Sequence, residues 1–397
     1  MTVFDIRDAT FPEKSVKMVV GDLTDLEQVK AAFKDMEVVF HVASPPPLSN
    51  NVKLFEAVNV NGTQNVVDAC LSQGVGRLVF TSSASVVYEG SNQAGADESL
   101  PYPAKFRDDY CRTKAEAEQI VIKAGKEHAG KLSTVCVRPH GIFGPCDPLL
   151  LPKVAEVGRT GKNKVALGDA ENIVDYTYVG NVVHGHMLAA QAATPGSPAS
   201  GKLYFITNDE PLPFWSFMGK VLIGLGYAPQ SLRLPYPLML AAANVLAAIV
   251  SCLKIVGVKL NPTFNPSVVQ IACTHHWYKC DAAKKDLGYS PVWDLESALL
   301  LTLESFPELR TADATPLPKV ESRFTPAEVA MHNTLDDLWV IIDGGVYDLT
   351  SYVQPHPGGD KIAQHAGGDA TEGFWGPQHP DHVKDTVEQF RVGTLSK

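Results

Sequence analysis

The chain has 397 residues, 45% hydrophobic and 20% charged, a globular composition long enough for two or three domains. A net charge of −10 at pH 7 argues against a nucleic-acid partner, which needs a clustered basic surface. Seven cysteines without a CxxC pair argue against a zinc site or a disulfide framework, and for a reducing compartment.

A β-branched and aromatic strand over Thr2–Ile6 opens the chain and carries Asp5 near its end. An acid there is what a dinucleotide-binding fold sets on the adenosine ribose, about 20 residues after a glycine-rich turn. No such turn precedes Asp5, so it is either a ribose ligand without its turn or the end of an unrelated strand. Apolar runs at Lys17–Val20, Val38–Val42, Arg77–Thr81 and Ser133–Val137 follow, alternating with helix-like stretches at Leu26–Lys34, Asn61–Gln73 and Asp108–Gly125. That alternation predicts an α/β fold, a doubly wound parallel sheet of Rossmann type with helices on both faces.

In DDYCRTKAEAE, Tyr110 and Lys114 are four apart on one face of a predicted helix. A tyrosine is a poor base at neutral pH, and an ammonium one turn away favours its phenolate. Tyr110 is thus a candidate base for a secondary alcohol, although a surface Tyr–Lys pair has the same spacing. Position adds weight. Ser82 and Ser83 in LVFTSSASVVYEG follow a strand, at the edge where open α/β sheets bind ligands. Ala43 and Ser44 in VVFHVASPPP are small enough for a flat cofactor to lie against backbone. Asn59 and Gly62 in VNVNGTQNV open a helix, and Pro139 ends a strand where a nicotinamide could lie.

Residues 150–305 are less regular and read as a substrate lobe ending in a helix over Leu295–Glu304. Within it, LPYPLMLAAANVLAAIVSCL (residues 234–253) is a 20-residue run without a charge, about the length that spans a bilayer. It reads as a buried helix, a spanning helix or a segment inserted into one leaflet. The last is expected, because the residues behind it suit packing back on the front domain, which one full crossing would prevent. A proline-rich linker at 307–321 follows. Thr325 and Glu328 then form a capping box with Pro326 at the first helical position, opening a separate domain at 322–397.

HVASPPPLSNN, TSSASVVYEG, RPHGIFGP, NVVHGH and ITNDEPLPFW together resemble the extended short-chain dehydrogenase/reductases. Within them they resemble the sterol 4α-carboxylate 3-dehydrogenase (decarboxylating) branch of the 3β-hydroxysteroid dehydrogenases, over 1–306. The resemblance implies Tyr110 as base, Lys114 on the base and the ribose, and Ser83 on the substrate hydroxyl. It implies Asp22 and Leu23 near the adenine, Ala43, Ser44, Ser82 and Pro139 along the cofactor, and Asn59 holding the catalytic helix. Asp5 becomes the ribose acid, whose carboxylate repels a 2′-phosphate, so NAD is expected over NADP. The family's first strand and glycine-rich turn do not precede it, as expected of a truncated chain, and the residues given are expected to bind NAD weakly. The implied reaction oxidises a sterol 3β-hydroxyl to a ketone beside a carboxylate, which then leaves as CO2.

In YVQPHPGGDKIAQHAGGDATEGFWGPQHP, His356 and His379 lie on turns beside proline or glycine, and two imidazoles fill both axial positions of a haem iron. HPGG, AGGDAT, WVIIDGGVYDL and FRVGTL resemble a cytochrome b5 haem-binding domain over Phe324–Leu395. One residue is absent between HPGG and AGGDAT, and GPQHP replaces the usual approach to the second ligand. Trp339 and Phe374 are expected in the pocket core, while His365 and His382 are expected to be structural. Hydride transfer moves two electrons and a haem takes one, so a separate flavoprotein, a cytochrome b5 reductase, is expected to feed the haem. Residues 322–397 hold 11 Asp and Glu against 5 Lys and Arg, which suits a basic partner face. A membrane sterol oxidase is the expected outlet, at the endoplasmic reticulum membrane with both domains facing the cytosol. A 3β-hydroxysteroid dehydrogenase without decarboxylation would share the same residues. A catalytically dead Rossmann scaffold anchoring the haem domain is the alternative of another class.

Overall fold

The structure is a computed structural model that describes every residue except 11–15, 50, 256–259, 261, 263, 378, 380–382 and 396–397. His382 lies outside the described residues. The chain forms two compact units, Met1–Pro291 with Thr302–Thr315, and Val292–Leu301 with Pro316–Lys397.

In the first unit, strands β1 (Thr2–Asp5) and β2 (Lys17–Val20) pair in parallel as a small sheet of their own. Strands β3 (Val38–His41), β4 (Arg77–Thr81), β5 (Gln93–Ala96) and β6 (Ser133–Pro139) follow. A four-stranded parallel sheet runs in the order Lys202–Ile206, β6, β4, β3. Among the described residues, the free edges of β1 and β3 pair with no strand.

The sheet is apolar on both faces because helices cover both. Val66, Val67, Ala69, Ala117 and Val121 pack on one face beside Leu78, Phe80 and Cys136. Ala189, Ala190, Ala283 and Leu287 pack on the other, beside Val79, Val135 and Val137. Burial of each large side chain contributes roughly 1.5–3 kcal/mol. Helix α1 (Leu26–Phe33) is capped by Asp25, whose carboxylate accepts from the backbone N–H of Glu27 and Gln28.

One predicted element is built differently. The helix expected to open near Asn59 already runs from α2 (Val52–Phe55), through a π-helical stretch at Glu56–Asn61, into α3 (Gly62–Gln73). Gly74, at φ 74°, ends it with a left-handed cap. Helix α4 (Asp109–Glu127) carries Tyr110 and Lys114 and lies against β6. A Cβ on Gly125 would collide with Thr134 Oγ1 and with the Gly201 backbone, so glycine permits this close approach.

The helix Tyr236–Ile255 covers the uncharged run. Its 18-residue stretch Tyr236–Leu253 is long and apolar enough to cross a membrane, yet only 6% of it is buried. Leu238, Val245 and Ile249 face outward and Ala243 is buried. This exposure argues against the buried-helix reading, because most of these side chains add nothing to a core.

The second unit holds a five-stranded sheet in the order Ser322–Phe324, Arg391–Leu395, Gly345–Asp348, Asp337–Ile342, Asn333–Thr334. The capping box forms: Glu328 N donates to Thr325 Oγ1 (3.2 Å), and Thr325 N donates to Glu328 Oε2 (2.6 Å). Along Asp337–Ile342 the pleat sends Leu338, Val340 and Ile342 into the core that contains Phe374. Trp339 points to the opposite face, stacked on His332 with ring centroids 3.9 Å apart, so its expected place in the pocket core is corrected.

Candidate functional site

The π-helical stretch places Asn59 where its buried amide serves two elements. Ser44 Oγ donates to Asn59 Oδ1 (2.9 Å), and Asn59 Nδ2 donates to Thr113 Oγ1 (3.0 Å). Thr113 Oγ1 in turn donates to the carbonyl oxygens of Asp109 and Tyr110 (2.8 and 3.2 Å). Asn59 thereby ties the loop after β3 to the first turn of α4. Arg112 repeats the link outside, reaching Glu56 (2.6 Å), Asp109 (3.2 Å) and Glu116 (2.8 Å).

Tyr110 is half-buried, edge-on to Phe55 with centroids 5.9 Å apart. Ser83 Oγ accepts from Ser85 N (3.2 Å) and Ser85 Oγ (2.8 Å), which leaves its own proton to donate. Burial raises the Tyr110 hydroxyl above its ordinary pKa, and Cys111 and Asp108 push the same way; Arg107 and the hydrogen bond with Ser83 oppose them. Lys114 Nζ donates to the Thr81 carbonyl (2.6 Å) and lies 4.2 Å from the centre of the Phe80 ring. Burial lowers the Lys114 pKa from 10.5 to about 8, against the pull of Glu118 and Cys136. The expected lowering of the Tyr110 pKa by Lys114 is thus corrected: the ammonium is turned to the end of β4, and Tyr110 is raised.

A buried ion pair sets α4 against β6. Arg138 Nε and Nη2 donate to the two oxygens of Glu118 (2.8 and 2.6 Å), and Tyr102 Oη donates to Oε1 (2.6 Å). Two parallel N–H···O bonds fix orientation as well as distance. Pro139 is buried at the end of β6, the strand that this pair ties to α4. Ser82 N donates to Val137 O across the sheet end (2.7 Å), whereas Ser82 Oγ is buried without a partner, as a site awaiting a polar ligand would leave it.

Asp5 Oδ1 accepts from Arg7 N (2.8 Å) at the end of β1. Asp22 Oδ1 accepts from Thr24 N (2.8 Å), and Asn65 Nδ2 donates to Leu23 O (2.9 Å), fixing the loop after β2. Ala43 lies half-buried between β3 and Ser44. Direct contacts thus join Ser44 with Asn59, while Asp5, Asp22 and Leu23 have local partners.

The sequence reading passed over three residues at the same sheet edge. Asp175 Oδ1 bonds His140 Nδ1, His140 Nε2 faces His276 Nδ1 at 3.3 Å, and His276 Nε2 lies 2.8 Å from Ile271 O. Their only linear signal is His140 directly after Pro139.

In the second unit, the His356 and His379 ring centroids are 6.2 Å apart. Two imidazoles on one metal, with metal–nitrogen bonds of about 2 Å, have centroids about 6 Å apart. His356 Nδ1 donates to Gly359 O (3.2 Å) and His379 Nδ1 to Phe374 O (2.7 Å). A carbonyl only accepts, so each ring carries its proton on Nδ1 and keeps a lone pair on Nε2. Phe374, Val353 and Leu338 belong to the apolar core on this side. The pair fits a haem.

Residues 2–236 match the 3-beta hydroxysteroid dehydrogenase/isomerase family, and residues 325–396 match the cytochrome b5-like heme/steroid binding domain. The chain is 43% identical over 310 residues to the Homo sapiens protein named sterol-4-alpha-carboxylate 3-dehydrogenase, decarboxylating, which covers 78% of this chain and 82% of that protein. It is 43% identical over 311 residues to 3beta-hydroxysteroid-dehydrogenase/decarboxylase isoform 1 of Arabidopsis thaliana, covering 77% of this chain and 70% of that protein. Among solved structures, gox2253 superposes with a TM-score of 0.64 at 23% identity, over 79% of this chain and 91% of its own, a likeness of fold alone.

Proposed function

Since the chain belongs to the 3-beta hydroxysteroid dehydrogenase/isomerase family and carries a cytochrome b5-like domain behind it, we propose that it oxidises the 3β-hydroxyl of a 4α-carboxysterol with NAD and releases the carboxylate as CO2. The observation that carries this reading is the fixing of the helix that bears Tyr110, by Asn59 through Thr113 and by the Glu118–Arg138 pair. Ser83 orients the 3β-hydroxyl and Tyr110 removes its proton. NAD, when bound, accepts the hydride from C3. Asp5 supports NAD over NADP, because its carboxylate repels a 2′-phosphate. Lys114, Ser82, Pro139, Ala43, Ser44, Asp22 and Leu23 are assigned to cofactor binding. The product is a 3-ketone next to a carboxylate, and CO2 leaves because the electron pair delocalises into the ketone as an enolate. Tyr110, now protonated, donates a hydrogen bond where that charge develops.

The dehydrogenase is assigned to 1–306, a linker to 307–321 and the haem domain to 322–397. His356 and His379 would hold haem b, which carries single electrons. A flavoprotein cytochrome b5 reductase is the proposed donor and a membrane sterol oxidase the proposed acceptor. Fusion would keep an electron carrier beside consecutive steps at high effective concentration. The exposed apolar helix Tyr236–Ile255 supports attachment to a membrane surface, proposed as one leaflet of the endoplasmic reticulum with both domains in the cytosol.

The test is NADH formation from a 3β-hydroxy-4-carboxysterol by protein expressed from its own gene in detergent. Tyr110→Phe should abolish it, and full activity in that variant would refute the assignment. In the same cuvette without reductase, the oxidised haem spectrum should persist. Its prompt reduction would overturn the separation of the two electron paths.

A further inference from the structure

Arg107 is a mostly buried cation that the reaction above leaves without a role. It directly precedes Asp108, the cap of α4, and its side chain is 16% exposed. Its Nε donates to Asp108 Oδ2 (3.0 Å), while Asp108 Oδ1 accepts from Cys111 N (2.8 Å). Its Nη2 donates to Cys111 Sγ (3.4 Å), a weak acceptor. A guanidinium has five N–H donors, so most of the donors of Arg107 have no partner among the described residues. A charge taken out of water with so few bonds is costly, which marks Arg107 as a group that a ligand would complete.

The guanidinium stands between the two parts of the site. On one side is the first turn of α4, where Cys111 directly follows Tyr110. On the other is the loop that begins at Ser83. Ser83 caps the short helical turn Ala84–Val86, which leads to Tyr88, and the Arg107 guanidinium lies 5.7 Å from the centre of the Tyr88 ring. Tyr88 is itself fixed, its hydroxyl 2.6 Å from Thr274 Oγ1. Burial raises the hydroxyls of Tyr110 and Tyr88, and the Arg107 charge opposes the rise in both. Lys114, Arg138 and Arg112 are each committed elsewhere, to the Thr81 carbonyl, to Glu118, and to Glu56, Asp109 and Glu116. Arg107 is the cation beside Tyr110 that keeps donors to offer.

The substrate reading supplies the matching anion. In a 4α-carboxysterol the carboxyl stands on the carbon next to C3, so its oxygens lie within a few ångströms of the 3-oxygen assigned to Ser83 and Tyr110. We propose that Arg107 binds the substrate carboxylate through its Nη1 and Nη2 N–H groups, and so separates a 4-carboxysterol from a sterol that lacks the carboxyl. This assignment rests on the 4-carboxysterol reading. The planar fork of a guanidinium matches two carboxylate oxygens, which a lysine ammonium cannot do. Asp108 holds the fork in place without cancelling its charge, because the Asp108 side chain is 43% exposed and water shares in balancing it. The contact forms when the sterol binds, before hydride leaves, so it acts on KM more than on kcat.

The test compares NADH formation from a 4α-carboxysterol with that from the same sterol carrying a 4α-methyl group, using detergent-solubilised holoprotein. Wild type should prefer the acid at least roughly tenfold in kcat/KM. Arg107→Gln should cut that preference at least roughly tenfold, mainly through KM for the acid, and Arg107→Lys should recover part of it. An unchanged preference in Arg107→Gln would overturn the proposal. So would an equal loss on both sterols, which a merely structural role would produce. Wild type supplies an arm without substitution: the methyl ester of the acid keeps the 3β-hydroxyl and loses the charge. Its KM should be higher than that of the acid, and an equal KM would also overturn the proposal. Failure of the 4-carboxysterol reading registers separately, as absent NADH from the acid with wild type, and removes this assignment with it.

Discussion

Lys114 is held at a cost to the folded chain, and Lys114→Met should expose that cost. Moving its pKa from 10.5 to about 8 means that the buried ammonium destabilises the native state by about 3 kcal/mol at neutral pH. Methionine is also long and unbranched and fills the space without a charge. It cannot donate to the Thr81 carbonyl, which Lys114 Nζ reaches at 2.6 Å, and that loss returns about 1 kcal/mol. The net expectation is a first unit more stable by about 2 kcal/mol at pH 7 that forms no NADH. The pH dependence follows from proton numbers. Between pH 8 and 10.5 the unfolded lysine still binds its proton and the folded one has lost it, so wild-type stability rises with pH across that window. The advantage of the variant is therefore full below about pH 8, is lost near pH 10 and turns into a deficit of about 1 kcal/mol above 10.5. Urea unfolding at a series of pH values measures it, with haem absorbance reporting the second unit separately. A variant less stable than wild type at pH 7, or a gap that does not change with pH, would refute the reasoning.

Glu118→Gln leaves the Arg138 guanidinium buried against a neutral amide and should cost the first unit about 3–5 kcal/mol in urea unfolding; Glu118→Leu with Arg138→Met should recover most of that. Replacing His356 or His379 with Ala should abolish the low-spin haem spectrum while NADH formation continues, as absorbance of purified protein would record. On sealed microsomes, added protease should cut both domains. Shielding of the haem domain while the front domain is cut would show that Tyr236–Leu253 spans the bilayer.

What could be read in advance divides by the range of the signal. β2 and β4 occupy the runs marked in the sequence, because their β-branched and aromatic residues are consecutive and locally bounded. The capping box at Thr325 and Glu328 was legible for the same reason. The haem histidines could be found because the glycines and prolines around them are close in sequence. The π-helical stretch was not, since no residue type marks a turn with one extra residue. Trp339 was misplaced because its strand is apolar on both faces, so alternation does not say which face meets Phe374. The Lys114 contact depends on a strand end 33 residues away, and the Asp175–His140–His276 chain joins residues 35 and 136 apart. Separations of that kind leave no periodic trace.

The π-helical stretch at Glu56–Asn61 also limits how this sequence can change. Gly62 N–H bonds back to Ala57 O, one residue further than an α-turn would reach. Removing one residue between Val52 and Asn61 would let the helix run regularly and spare it the wider turn. Because the wider turn absorbs its extra residue, such a deletion would leave the flanking helices in phase, and only the side chains inside the stretch would turn, by up to about 100°. Asn59 would keep either Ser44 or Thr113 and lose the other. Side chains on this segment can therefore be exchanged one at a time, but its length is fixed.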